Sequence, residues 1–388
     1  MKKKVIILGS TGAIGKITFD IFKKDHKTFK VELLSTNTKV KKIFNQAKLL
    51  KVKNIIITDY NSYIKALKKY KKFNINIFNS FSIIDKIFKK KEIFYSMVCI
   101  VGIDGLDPIL RLIRLSKNIA IINKESLICG WNLIKKQLIL HKTVFIPVDS
   151  EHFSIFSLLD KLNSNLIEKI FLIASGGPFL KKKLSTFNSI KKKDALKHPN
   201  WKMGNKITID SSTMMNKVFE VIEARHIFNV EYKKIKILIH PKSYVHAIVK
   251  FNNGLTKILI HDSNMFIPIY NSIYFSKKKI KKKTNLNFDI INNLELKNID
   301  SKRFPLSNII KYLPNRESLY ETVLVTINDF YVTKFLNNKI NYNNMINSIY
   351  LNSTKKIFLD YRLKIPSNIN EIQKTINYVR SKLIKSSI

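Results

Sequence analysis

Cysteine is almost missing from this sequence: Cys99 and Cys129 are the only two in 388 residues, and no CxxC spacing occurs, which excludes a disulfide framework. Cys99 stands in the apolar run Ser-Met-Val-Cys-Ile-Val, the usual setting of a small buried hydrophobe. Both thiols suit a reducing cytosol, so a cytoplasmic location is expected. Long apolar runs are also missing, and without roughly 18 consecutive apolar residues no membrane-spanning helix is expected. Val5 to Leu8, four apolar residues behind Met-Lys-Lys-Lys, are too few for a signal-peptide core. No internal repeat is found.

Negative charge is also in short supply. Twenty-seven Asp and Glu face 70 Lys and Arg, for a net charge of +43. A field of that size attracts phosphate polymers through counterion release. The lysines, however, are scattered through every segment beside over-used Ile and Asn. Short runs such as Lys89 to Lys91, Lys181 to Lys183, Lys191 to Lys193 and Lys277 to Lys283 have no aromatic interleaving, so no stripe forms a face for stacking on bases. The excess is read as compositional drift over permissive surface positions, and no specific nucleic-acid partner is expected.

What is present is a globular composition. A 45% apolar share with 11% aromatics can fill a large core, and this length suits two or three domains at roughly 150 residues each. Up to residue 149, short β-branched runs alternate with helical stretches, the βαβα pattern of a parallel sheet. Strands are expected at Val5 to Leu8, Val31 to Leu34, Asn54 to Thr58, Met97 to Val101, Ile119 to Ile122 and Val144 to Val148. Residues 150–275 read as an α+β unit, with strands at Lys169 to Ala174, Lys236 to His240, Ala247 to Phe251 and Thr256 to Ile260 around a helix from Thr213 to about Phe228. A Lys- and Asn-rich linker is expected over 276–302 and an all-helical domain over 303–388. The fold class is therefore α/β, with an N-terminal Rossmann-like domain, a central α+β domain and a C-terminal helical domain.

Several segments carry chemistry. Gly9-Ser10-Thr11-Gly12-Ala13-Ile14-Gly15 follows the first strand and opens a helix. Small residues there let backbone N–H groups approach a pyrophosphate at the positive end of that helix. The turn after strand two, Asn37-Thr38-Lys39, holds no carboxylate and one lysine, which favours NADP over NAD. In Pro147-Val148-Asp149-Ser150-Glu151-His152, an extended backbone would point Asp149 and Glu151 to the same side, where their oxygens suit Mg²⁺ or Mn²⁺. On a helix capped near Ser212 or Thr213, Asn216, Lys217, Glu220 and Glu223 fall on one face. Such a face is usually solvated, but its apolar neighbours allow it to be turned into a cleft. Ser175-Gly176-Gly177-Pro178 is a second small-residue turn fit for a phosphate. His198 to Gly204, with Trp201 among polar residues, reads as a mobile cover spanning about 197–205.

With GSTGAIG, INKESL, PVDSEH, ASGGPF, HPNWKMG, DSSTMMNKVFEVIEAR and HPKSYVH in this order, the chain resembles the 1-deoxy-D-xylulose 5-phosphate reductoisomerases over nearly its whole length. The resemblance implies conversion of that ketose phosphate to 2-C-methyl-D-erythritol 4-phosphate, in isoprenoid precursor biosynthesis, by isomerisation and reduction with NADPH. It implies Asp149, Glu151 and Glu220 as metal ligands, catalytic together with Lys124. It also implies Lys124, Ser150, Glu151, Ser175, His198, Trp201, Ser211, Asn216, Lys217 and Glu220 as substrate contacts. Thr11, Gly12, Ala13, Ile14, Asn123, Glu125 and Gly204 are implied to touch NADPH, with Asn37, Thr38 and Lys39 in place of the family's Gly-Lys-Asn near the 2′-phosphate. A homodimer is implied as well. Ala13 replaces a common Ser, and Ser263 to Ile269 depart from the family's Pro-Asp-Met-Arg-Thr-Pro-Ile. An aspartate-semialdehyde dehydrogenase would need a poised nucleophilic cysteine, and neither Cys99 nor Cys129 sits in such a motif.

Overall fold

The structure, a computed structural model, describes residues 1–159, 162, 164–201, 203–280 and 286–386. Lys202 of the expected cover and 281–285 of the expected linker lie outside the described residues. Contacts divide the chain into two units, the first formed by 1–127, 132–149 and 265–280 and the second by 128–131, 150–264 and 281–388.

The first unit is built on a seven-stranded sheet. Its strands are β1 (Lys3–Leu8), β2 (Phe29–Thr36), β3 (Asn54–Ile57), β4 (Asn76–Phe78), β5 (Ile93–Val98), β6 (Ser116–Ile121) and β7 (Val144–Pro147). All pair in parallel, in the order β4-β3-β2-β1-β5-β6-β7. The run Val5 to Leu8 is wholly buried because β1 is central and covered on both faces. Strand order reverses at the β1/β5 pair, where open α/β sheets place their ligand crevice, and the Gly9 turn leaves the sheet at that point. Two strand expectations change. β4, three residues without strong patterning, is an addition to the expected strands, and the strand expected at Met97 to Val101 runs instead from Ile93 to Val98.

The Phe266–Tyr274 helix belongs to this unit. Ile269 and Ile273 enter its core, and Ser272 Oγ lies 2.8 Å from the hydroxyl of the buried Tyr95. A boundary at 275 therefore differs from the division seen, because this helix buries its apolar face against the first unit.

The second unit carries a five-stranded sheet, β11-β10-β8-β9-β12, from β8 (Ile167–Ala174), β9 (Ile235–Ile239), β10 (Val245–Phe251), β11 (Thr256–Ile260) and β12 (Lys297–Asn298). β8 pairs in parallel with β9 and antiparallel with β10. The stretch read as a linker contributes β12 and a short Phe288–Asn292 helix. The C-terminal helices Tyr320–Leu336, Tyr342–Ser353 and Ile369–Lys385 share this unit rather than standing apart. Asn328 Nδ2 donates to Asp210 Oδ1 at 2.8 Å, and Tyr342 Oη donates to the Ser212 carbonyl at 2.8 Å. Phe179, Phe187 and Phe335 pack edge-on around the Tyr342 ring.

Candidate active site

The glycine turn is shaped for close backbone approach. Gly9 sits at φ +78°, and a Cβ there would lie 2.6 Å from the Cys99 carbonyl oxygen. A Cβ on Gly15 would lie 2.2 Å from the Gly9 carbonyl oxygen, so the third glycine lets the Ala13–Lys24 helix pack against the turn. No side chain caps that helix and no acid occupies its first turn, leaving its positive end available to an anion. Partners beyond the motif brace the turn. Ser10 Oγ donates to Gln46 Oε1 at 2.7 Å, Lys42 Nζ donates to the Thr11 carbonyl at 2.7 Å, and the Thr11 and Thr36 hydroxyls lie 2.6 Å apart. Ala13 is exposed.

Asn37, Thr38 and Lys39 are exposed after β2, with Asn37 Nδ2 donating to Thr58 Oγ1 at 2.9 Å. A cleft of about 530 Å³ opens beside them, lined by Lys39, Lys41, Lys42, Lys65 and Lys69 and by no carboxylate. Lys41, Lys42 and Lys65 were not singled out from sequence, because scattered lysines carry no motif.

Asn123 caps the Lys124–Leu140 helix by accepting from Ser126 N at 2.6 Å, and its amide donates to the Ile100 and Gly102 carbonyls. It thereby fixes the loop after β5. Glu125 is buried in the same first turn. Lys124 Nζ pairs with Asp149.

Asp149 and Glu151 do not meet through strand alternation. β7 ends at Pro147, and Ser150 already starts the Ser150–Leu159 helix. Ser150 Oγ donates to Glu151 Oε2. Oxygens of Asp149, Glu151 and Glu220 nonetheless all lie within 4.8 Å of one another.

The expected cap at Ser212 or Thr213 is instead a break between two helices, Asn205–Ser212 and Met215–Phe228. Met214 between them adopts φ +69°. The second of these is buried nearly all round, so its polar face is enclosed rather than solvated: Lys217, Glu220 and Glu223 are 4%, 1% and 1% exposed. Lys217 Nζ donates to Glu151 Oε1 at 2.6 Å, to the Ile173 carbonyl at 2.7 Å and to Glu220. Burial alone would lower its pKa, but the Glu151 and Glu220 carboxylates outweigh it and hold the ammonium above the ordinary lysine range. Asn216 Nδ2 donates to Glu220 Oε1 at 2.5 Å.

Ser175, His198 and Ser211 form a second group. His198 Nε2 lies 3.2 Å from Ser175 Oγ and 3.1 Å from Ser211 Oγ, while its Nδ1 accepts from the backbone N–H groups of Asn200 and Trp201 at 3.1 and 3.0 Å. With Nδ1 accepting, the neutral ring carries its proton on Nε2, facing the two hydroxyls. Burial, then the Lys217 cation, lowers its pKa to about 4. Gly176 and Gly177 both take positive φ, and Gly177 N donates to Ser175 Oγ at 3.1 Å.

The cover is anchored at Asn200, whose Nδ2 donates to the Pro241 carbonyl at 2.7 Å and to Ser243 Oγ at 2.8 Å. The Trp201 ring meets His246 edge-on at 6.1 Å, and His246 stacks on His261 at 3.7 Å. Gly204 stands at the N-cap of the Asn205–Ser212 helix. His246 lies inside HPKSYVH, but with no role attached to it the sequence reading passed it over, and His261 belongs to no motif.

Comparison with known proteins bears on this arrangement. Three family models match: 1-deoxy-D-xylulose 5-phosphate reductoisomerase over residues 5–130, the C-terminal domain of that enzyme over 145–228, and the DXP reductoisomerase C-terminal domain over 261–382. The 1-deoxy-D-xylulose 5-phosphate reductoisomerase of Pelagibacter ubique is 54% identical over 387 residues, covering 100% of both chains. The chain belongs to the 1-deoxy-D-xylulose 5-phosphate reductoisomerase family. A family member from a Wolbachia of Drosophila simulans is 34% identical over 97% of this chain and 94% of its own. Among solved family structures, the enzyme from Zymomonas mobilis in complex with NADPH has a TM-score of 0.86 at 28% identity, over 98% of this chain and 97% of that one. A reductoisomerase in complex with NADPH, fosmidomycin and magnesium reaches 0.90 at 26% identity, over 99% of each. Family membership agrees with the resemblance read from the motifs.

Proposed function

We propose that the protein converts 1-deoxy-D-xylulose 5-phosphate to 2-C-methyl-D-erythritol 4-phosphate, isomerising the ketose phosphate and reducing the branched aldehyde with NADPH, in the presence of a divalent cation. The observation that carries this reading is the convergence of three carboxylate oxygens within 4.8 Å, with Lys217 bound to two of those groups. Hard oxygen donors of this kind fit Mg²⁺, and they accept Mn²⁺ equally. Lys124 and Lys217 balance the carboxylates here, so the pocket is already arranged for positive charge. Asp149, Glu151 and Glu220 would hold the cation, which when bound supplies Lewis-acid stabilisation of charge developing on substrate oxygens.

The remaining roles fall to the chain itself. Ser175, Ser211, Asn216 and Lys217 bind the substrate phosphate, and the Nε2 proton of neutral His198 holds the two serine hydroxyls in place. Lys124 and Ser150 orient the rest of the substrate. Trp201 closes over it and excludes water from the intermediate. The backbone of Thr11 to Ile14 receives the NADPH pyrophosphate, with Asn123, Glu125 and Gly204 as further contacts. Lys39, within its carboxylate-free cleft, receives the 2′-phosphate beside Asn37 and Thr38. Two further readings are a homodimer, which family kinship alone carries, and a cytoplasmic location, which the two thiols suited to a reducing cytosol support. No helix among the described residues is long and apolar enough to cross a membrane.

The test follows NADPH absorbance with purified protein, substrate and Mg²⁺ or Mn²⁺, with a chelator control and NADH in parallel. Metal-dependent oxidation preferring NADPH is expected. Folded protein with no turnover under any of these conditions would overturn the proposal.

A further inference from the structure

A second cationic cavity, of about 420 Å³, lies in the second unit and shares no residue with the proposed substrate or cofactor contacts. Lys181, Lys242, Lys297 and Arg303 line it against two acids, Glu295 and Asp300. Both acids are already engaged. Glu295 pairs with Lys297 at 3.1 Å, and Asp300 Oδ1 accepts from the backbone N–H groups of Lys302 and Arg303 at 2.9 and 3.3 Å. Arg303 Nη1 is fixed by the Phe179 and Lys182 carbonyls at 2.8 and 2.6 Å, which makes its guanidinium a rigid post. Lys297 first, then Lys181 and Lys242, hold the Glu295 carboxyl below its usual range, and all three lysines line the one cavity.

His240 adds an independent sign of a ligand. It lines the same cavity and is 1% exposed. Its Nδ1 lies 3.4 Å from the Glu295 carbonyl oxygen, which can only accept, so the ring proton sits on Nδ1. Nε2 is then a buried acceptor, and nothing among the described residues donates to it. A buried acceptor left unmatched is costly. What would satisfy it inside a ring of cations is an anion that brings its own hydrogen.

We propose that this cavity is a second anion site, taking a phosphate-class anion that carries an O–H group, such as hydrogenphosphate or a hydroxylated phosphomonoester. The charged oxygens meet Lys181, Lys242 and Lys297, and the O–H donates to His240 Nε2. The site's lining residues are close in sequence to residues of the proposed active site. Lys181 follows the Ser175 to Leu180 turn. Pro241 and Ser243, on either side of Lys242, hold Asn200 of the cover.

The experiment is a titration of the full-length protein with inorganic phosphate, followed by the imidazole nitrogen resonances of His240, which are assigned by their loss in His240→Gln. The His240 signal of the unsubstituted protein shifts in a saturable way. In Lys242→Ser/Lys297→Ser the apparent affinity read from it falls about tenfold or more. In Lys23→Ser/Lys24→Ser, which removes the same charge from an exposed helix end, it stays within twofold. Turnover of 1-deoxy-D-xylulose 5-phosphate by Lys242→Ser/Lys297→Ser without added phosphate remains near that of the unsubstituted protein, so loss of the second site is distinguishable from loss of the proposed activity. An unshifted His240 signal, or equal weakening in the two lysine pairs, would overturn the assignment.

Discussion

Glu220→Gln separates the charge of the carboxylate cluster from its shape. Gln is nearly isosteric and keeps an oxygen that can accept from Asn216 or Lys217, both of which donate to Glu220. Lys217 also retains Glu151 at 2.6 Å and the Ile173 carbonyl at 2.7 Å, so its ammonium is not stranded. Weakening one charge-assisted hydrogen bond in a site 1% exposed costs about 1.5–3 kcal/mol, less than the 3–5 kcal/mol or so for breaking a buried pair outright. The variant therefore folds. The discriminating quantity is the shift of the melting midpoint caused by metal. A ligand at about 100 times its Kd stabilises the native state by about 2.7 kcal/mol. The unsubstituted protein shows that stabilisation with Mg²⁺ or Mn²⁺ and loses it with chelator. Glu220→Gln, left with two of three ligands, shows little, and its kcat/KM falls by about 10² or more. The assay is thermal unfolding with and without metal, paired with NADPH oxidation. A Glu220→Gln protein with an undiminished metal-dependent shift would refute the assignment of Glu220 as a ligand.

Three further outcomes are expected. His198 has its pKa lowered to about 4 and is ionised in the unfolded chain below about 6.5. It therefore contributes stability that is present above that value and lost as pH falls toward 4; unfolding curves across this window should be flatter for His198→Gln, and equal slopes would count against a buried neutral ring. Gly15→Ala drives a methyl to 2.2 Å from the Gly9 carbonyl and should lower the melting midpoint, whereas Gly12→Ala meets only an ordinary contact at 3.4 Å and should spare stability while weakening NADPH binding, as fluorescence titration would show. Lys39→Ala/Lys65→Ala removes two cations from a cleft without acids and should cut the NADPH over NADH preference about tenfold; an unchanged ratio would place the 2′-phosphate elsewhere.

The parts of the fold that the sequence reveals are those with strong local period. Val5 to Leu8 reads as a central strand because both its faces are apolar, and Gly9 to Gly15 reads as a phosphate turn because its small residues let backbone amides approach an anion, with Gly9 and Gly15 leaving no room for a Cβ. The helix carrying Glu220 is legible as a helix but not as an enclosed one. Its polar face is satisfied by Glu151 and by the backbone of β8, which are distant in sequence. Asp149 and Glu151 come together, but not by strand alternation: Ser150 turns the chain into a helix, and the cluster depends on Glu220 arriving from another element. Lys42 and Gln46, which brace the glycine turn, stand on a helix following β2, and His246 and His261 meet only through the pairing of β10 with β11. Tertiary partners of this kind leave no trace in spacing.

The return of Met265–Ile280 to the first unit sets an order of events during synthesis. Residues 1–149 supply all seven strands of the first sheet, but Ile269, Ile273 and the Ser272 partner of Tyr95 are encoded beyond the whole of 150–264. At typical translation rates that stretch occupies the ribosome for roughly ten seconds. For that interval the apolar surface that Ile269 and Ile273 cover, beside Tyr95, is open to chaperones or to its own neighbours on the polysome. A fragment ending near residue 149 would keep that surface exposed permanently, whereas one that splices 265–280 back on would cover it.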